Sequence, residues 1–261
     1  MQFGRAGAAV AASVLIVSAA LAGAGNYRRV GKEGEWKAAR LMAALDGKLW
    51  IVDAKALYRV GKKGKWTSVG ERGEWGKTHH LVGLDGKLWS VGDGGSLYKT
   101  DQEGKYELVG KEGEWKGTRL VTALDGHLWI VARDTLWRVD TAGKYEQVGK
   151  TGDWKTTTLL TALDGSLYSI DSEGSLYRSG QDGRYRRVGK EGEWKGSTLL
   201  AAAEGSLWVV ARKTLWKVDP KGKWEQVGKQ DDWGTTRLLT ALDGELWSVD
   251  EAGSLYRTET K

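Results

Sequence analysis

The pattern of apolar and polar side chains in residues 119–148 divides them into four short strand-like runs: Arg119–Ala123, His127–Val131, Thr135–Val139 and Lys144–Val148. In the second run Leu128 and Ile130 share one face and Trp129 and Val131 the other, the two-residue period of a strand. Asp125-Gly126 joins the first two runs and suits a tight hairpin turn. Glycine breaks the chain at Gly143, and a longer connection from Gly149 to Trp154 leads onward. The runs are too short and too rich in β-branched and aromatic residues for helices.

The same order recurs six times. A tryptophan after an acidic residue marks each copy: Trp36, Trp75, Trp115, Trp154, Trp194 and Trp233, at steps of 39, 40, 39, 40 and 39 residues. A fixed period near 40 with four strands per unit predicts an all-β, six-bladed β-propeller with four-stranded blades. Two tandem β-trefoils are the rival, since a trefoil lobe also has four strands. The ends of the repeat decide between them. The last copy stops after Ser254-Leu255-Tyr256-Arg257-Thr258 without a fourth run, and Tyr27-Arg28-Arg29-Val30-Gly31 supplies that run at the other end. The N-terminal strand is therefore expected to complete the last blade and remove two open sheet edges. The propeller spans 27–258, leaving 259–261 as a tail. Copies also alternate in pairs: Trp89-Ser90-Val91, Tyr168-Ser169-Ile170 and Trp247-Ser248-Val249 mark copies two, four and six, where the others read Trp-Ile-Val or Trp-Val-Val. A three-fold repeat of a two-copy unit is the simplest history.

Composition changes this picture little. The chain has no cysteine, hence no disulfide and no thiolate metal site. Fifteen Trp and nine Tyr beside one Phe suit short strands with amphipathic rings. The net charge of +6 is spread among interleaved acids and bases, so no nucleic-acid partner is expected. Residues 1–24 carry Arg5, an apolar run from Ala8 to Leu21 and small residues for cleavage after 22 or 24. That is the pattern of a secretory leader, predicting a secreted or periplasmic protein with no membrane span once the leader is gone.

Candidate chemistry gathers on the longest repeated connection. Glu35, Glu74, Glu114, Asp153, Glu193 and Asp232 each precede a marker Trp. A ring can stack on the C–H face of a sugar while a carboxylate accepts from its hydroxyls. The alternative has each Trp wedged between blades and each acid paired with a nearby Lys. Four residues past the markers, Arg40, His79, Arg119 and Arg237, with Thr158 and Thr198, open the innermost strands and are candidates to ring a mouth of the channel. Their cations would hold an anionic group. His79 and His80 point to opposite faces of a strand, so no metal is expected. The near-identical copies supply no distinct set of acid, base and positioning groups, so the reading is of a non-enzyme that needs no cofactor.

The ordered set Tyr145-Glu146-Gln147-Val148-Gly149, Gly152-Asp153-Trp154, Gly165-Ser166-Leu167-Tyr168-Ser169-Ile170 and Leu176-Tyr177 resembles tachylectin-type and, more loosely, tectonin-type β-propeller repeats. It departs from them in having Gly143-Lys144 where such repeats often place Asp-Asn. The resemblance implies lectin activity, with sugars held at repeated sites near blade boundaries. The expectation is a multivalent binder of carbohydrate or glycoconjugate, such as cell-surface glycans. A protein-interaction or structural propeller without sugar binding is the alternative.

Overall fold

A computed structural model describes residues 27–258. The leader assigned to 1–24 and the tail at 259–261 lie outside the described residues. Six four-stranded antiparallel sheets are arranged as the blades of a six-bladed β-propeller. In the third blade the strands are Thr118–Leu124, His127–Ala132, Thr135–Val139 and Tyr145–Val148, within a residue of the pattern read from the sequence. The turn between the first two strands is the hairpin expected. Asp125 and Gly126 have φ of 49° and 72°, and the acid of all six turns lies between 46° and 51°. Positive φ at both central residues matches the right-handed twist of the strands.

The last sheet is closed as expected. Tyr27–Val30 pairs antiparallel with Leu255–Thr258, Val30 lying opposite Leu255. Six apolar clusters hold the described ring, one at each blade boundary. At the closing boundary Trp247 and Val249 of blade 6 meet Leu49 and Ile51 of blade 1. Every second strand carries one large buried ring: Trp50, Trp89, Trp129, Tyr168, Trp208 or Trp247. Alternation along that strand lets one blade serve both neighbours: Leu49 and Ile51 face blade 6, Trp50 and Val52 face blade 2.

Candidate functional site

The marker tryptophans are packed, not displayed. Trp36, Trp75, Trp115, Trp154, Trp194 and Trp233 are 2–5% exposed and belong to the boundary clusters. A loop residue carries no periodicity from which its burial can be read, and the wedge alternative describes these rings. The exposed rings stand one strand away. Trp66, Tyr106, Tyr145, Tyr185, Trp224 and Tyr27 open the outermost strands and are 36–54% exposed. None of them was expected to contact a ligand, although each begins a strand.

The six marker acids share one local role. Each accepts the backbone N–H of the residue three before it, at 3.0–3.3 Å, and so fixes its own loop. Among the described residues none forms an ion pair with a Lys. Their other oxygens divide the blades into two kinds. In blades 1, 3 and 5, Glu35 accepts from Trp66 Nε1 at 2.7 Å, Glu114 from the Tyr145 hydroxyl at 2.8 Å, and Glu193 from Trp224 Nε1 at 2.8 Å. The Glu114 bond also raises the Tyr145 phenol above its usual pKa. Each latched ring sits in an aromatic trio with the marker Trp and a third-strand ring, for example Trp36, Tyr58 and Trp66 with centroids 5.1–6.1 Å apart.

In blades 2, 4 and 6 no such bond joins Glu74 to Tyr106, Asp153 to Tyr185 or Asp232 to Tyr27 among the described residues. Pockets open there instead, of about 390, 140 and 210 Å³. Each is lined by the marker acid, the marker Trp, two tyrosines and a serine: Glu74, Trp75, Tyr98, Tyr106 and Ser90 in blade 2. Blade 4 presents Asp153, Trp154, Tyr177, Tyr185 and Ser169. Blade 6 presents Asp232, Trp233, Tyr256, Tyr27 and Ser248. The serines replace Ile51, Ile130 and Val209 of the other blades, and Thr100, Ser179 and Thr258 replace Val60, Val139 and Val218. Branched aliphatic groups that fill the boundary in odd blades thus become hydroxyls that leave it open in even ones.

The channel-mouth residues are otherwise engaged. In blades 2 to 6 the residue in question, such as Arg119, is skipped in the ladder between the first two strands, forming a bulge. The guanidinium of Arg119 donates to Trp154 O at 2.6 Å and Thr157 O at 3.1 Å, and that of Arg40 to Trp75 O at 2.9 Å. Arg237 reaches across the closing boundary to Ala39 O at 3.2 Å. In blades 1, 3 and 6 the arginine thus ties its blade to the next marker loop. His79 pairs with Asp93, whose carboxyl is held below the usual range by that bond. His80 is partly buried, its Nε2 3.3 Å from Thr118 O, and burial lowers its pKa. Among the described residues no group of three His, Cys, Asp or Glu is placed to hold a metal, and no helix is long and apolar enough to cross a membrane.

The chain matches no protein-family model and no curated protein sequence. Among solved structures it resembles a streptogramin B lyase, with a TM-score of 0.62 and 11% identity over 90% of this chain and 98% of that one. A gluconolactonase from Xanthomonas campestris gives 0.65 and 13% over 88% and 91%. YCF48, solved bound to a D1 peptide, gives 0.59 and 14% over 85% and 78%. These likenesses are to six-bladed β-propellers rather than to tachylectin-type proteins in particular, and they show the fold alone. They correct the expectation of a non-enzyme. A lyase and a gluconolactonase share this fold, so the fold itself does not exclude catalysis.

Proposed function

We propose that this chain is an exported, multivalent carbohydrate-binding propeller whose sites lie in alternate blades. One observation carries the reading: in blades 2, 4 and 6 the marker carboxylate and the outer-strand tyrosine hydroxyl are not bonded to each other and both line a pocket. A neutral polyhydroxyl ligand suits such walls. The carboxylate accepts from sugar hydroxyls, the serine and tyrosine hydroxyls donate or accept, and the tyrosine rings cover C–H faces. The marker Trp serves as the wall behind the ligand. The tachylectin-type resemblance agrees in placing sugars at repeated positions near blade boundaries. Residues 8–21 support export.

The test is a glycan array followed by calorimetry, comparing the natural chain with a Ser90→Ile/Ser169→Ile/Ser248→Ile variant. Saturable binding of a glycan at three sites per chain is expected, with binding absent in the folded triple variant. Unchanged binding in that variant, or no glycan bound at all, overturns the reading and leaves the protein-interaction alternative.

A further inference from the structure

We infer that the blade 2 pocket is not equivalent to its two counterparts and takes a ligand bearing a protonated primary amine, an inference that rests on the sugar-binding reading above. Three replacements set blade 2 apart. Gly92 stands where blades 4 and 6 have Asp171 and Asp250. In those blades the aspartate lines the pocket and also holds the following turn, Asp171 accepting from Ser175 N and Asp250 from Ser254 N, each at 2.8 Å. Without that side chain the blade 2 pocket is about 390 Å³, against about 140 and 210 Å³.

The second replacement is Leu108, which stands where Arg187 and Arg29 stand. Strand register puts it in one row with Tyr98 and Ser90, as Arg187 is with Tyr177 and Ser169. Arg187 holds Glu191 at 2.7 Å and Arg29 holds Glu33 at 2.6 Å. The matching acid in blade 2 is Glu112; among the described residues it has no arginine, and it lines the pocket. The third replacement is Glu107 for Arg186 and Arg28, which removes another nearby cation and is itself matched by Lys99 at 2.7 Å.

The charges that line the pocket are Glu74, Asp93 and Glu112 against Lys77, and those of the other two are Asp153 with Asp171 and Asp232 with Asp250, so the net lining charge is alike and what sets blade 2 apart in its charges is Glu112. Among the described residues Asp93 is engaged by His79, and Glu112 is a pocket carboxylate with neither a cationic partner nor a hydrogen bond, whereas Asp153, Asp171, Asp232 and Asp250 each accept a backbone N–H. A further observation points to a ligand. Thr100 lines the pocket, is 1% exposed, and among the described residues its hydroxyl has no hydrogen-bond partner; its counterpart in blade 6, Thr258, is also unpaired but does not line that blade's pocket. Buried hydroxyls are seldom left unpaired, and an occupant offering a donor or acceptor would satisfy this one. The acids are not placed to hold a bare metal ion. They suit an organic cation, whose ammonium donates three charge-assisted hydrogen bonds and is attracted by tyrosine faces.

The experiment is calorimetry at low salt with D-glucosamine, N-acetyl-D-glucosamine and the sugar-free amine ethanolamine, on the natural chain and on Glu112→Gln and Gly92→Asp variants. Folding of each variant is checked by circular dichroism. Glucosamine is expected to bind one site more tightly than the acetylated sugar does, with affinity falling about tenfold in Glu112→Gln while the acetylated sugar is unaffected. Gly92→Asp, which restores the residue of blades 4 and 6 and narrows the site, is expected to weaken both sugars there while leaving the glucosamine preference that Glu112 supplies. Equal binding of glucosamine and its acetylated form at all three sites overturns the inference and leaves the sugar reading standing. Ethanolamine binding as tightly as glucosamine, with no neutral sugar bound, keeps the amine site and overturns the sugar reading. No binding of any probe overturns both.

Discussion

At the scale of single residues, one change of side chain separates a filled boundary from an open one. Ile130 is fully buried between blades 2 and 3, and Ser169 stands in its place one blade on. Ile130→Ser is expected to lower unfolding free energy by about 2–5 kcal/mol, read by urea titration, because it removes buried methyl groups and leaves a cavity. The reverse change, Ser169→Ile, enters a space that already exists, so stability should stay within about 2 kcal/mol of the natural chain. The serines were visible in the sequence as a paired alternation. That they open pockets was not, because this depends on which rings share their row across three strands. The burial of Trp36 and its equivalents was hidden for a similar reason: a turn has no face until the blades pack. His80 adds a pH term. It occupies the place of Leu120 and Leu159, and burial holds its pKa below the usual 6.5. Between its folded and unfolded values the unfolded chain binds more protons, so stability is present above pH 6.5 and is lost as pH falls below it. Melting temperature is expected to drop between pH 7 and 5, and His80→Leu to flatten that slope.

At the scale of elements, most of the fold was legible. Alternation gave each strand, Asp-Gly gave each hairpin, and the displaced run Tyr27–Val30 gave the closure, because these depend on local periodicity and on which edges would stay unpaired. Chain closure has its own consequence. A variant lacking residues up to 30 would expose the edge of Leu255–Thr258 and remove Val30 from the boundary, where it is 7% exposed. Lost burial and unmade ladder bonds together are expected to cost about 4 kcal/mol, seen as a lower calorimetric melting temperature. The bare edge should also pair with a second chain, giving concentration-dependent association in light scattering. The arginines at 40, 119 and 237 show the limit of reading elements one at a time. Each starts on its own blade, but its partners are carbonyls of the next, about 35 residues along or across the ring closure.

At the scale of the whole molecule, a two-blade unit repeated three times puts three open pockets on one face of the disc, with latched blades between them. The fold belongs to a frame on which lyases, a gluconolactonase and a peptide-binding protein are also built, so the disc itself does not select among chemistries. Spacing of the sites does make a claim of its own. On the proposed sugar-binding reading, small pockets such as those of blades 4 and 6 would hold a monosaccharide weakly, and retention on a glycan-coated surface would come from simultaneous engagement. Closing one pocket by Ser169→Ile should then act very differently in two assays. With free sugar, calorimetry should show stoichiometry falling from three to two and the affinity of the remaining sites unchanged. On a dense glycan surface the same variant should dissociate faster by about ten- to a hundred-fold, because a rigid disc that loses one of three contacts loses a multiplicative factor in effective concentration. Equal losses in both assays would mean that the pockets act independently, and that the alternation of blades serves packing alone.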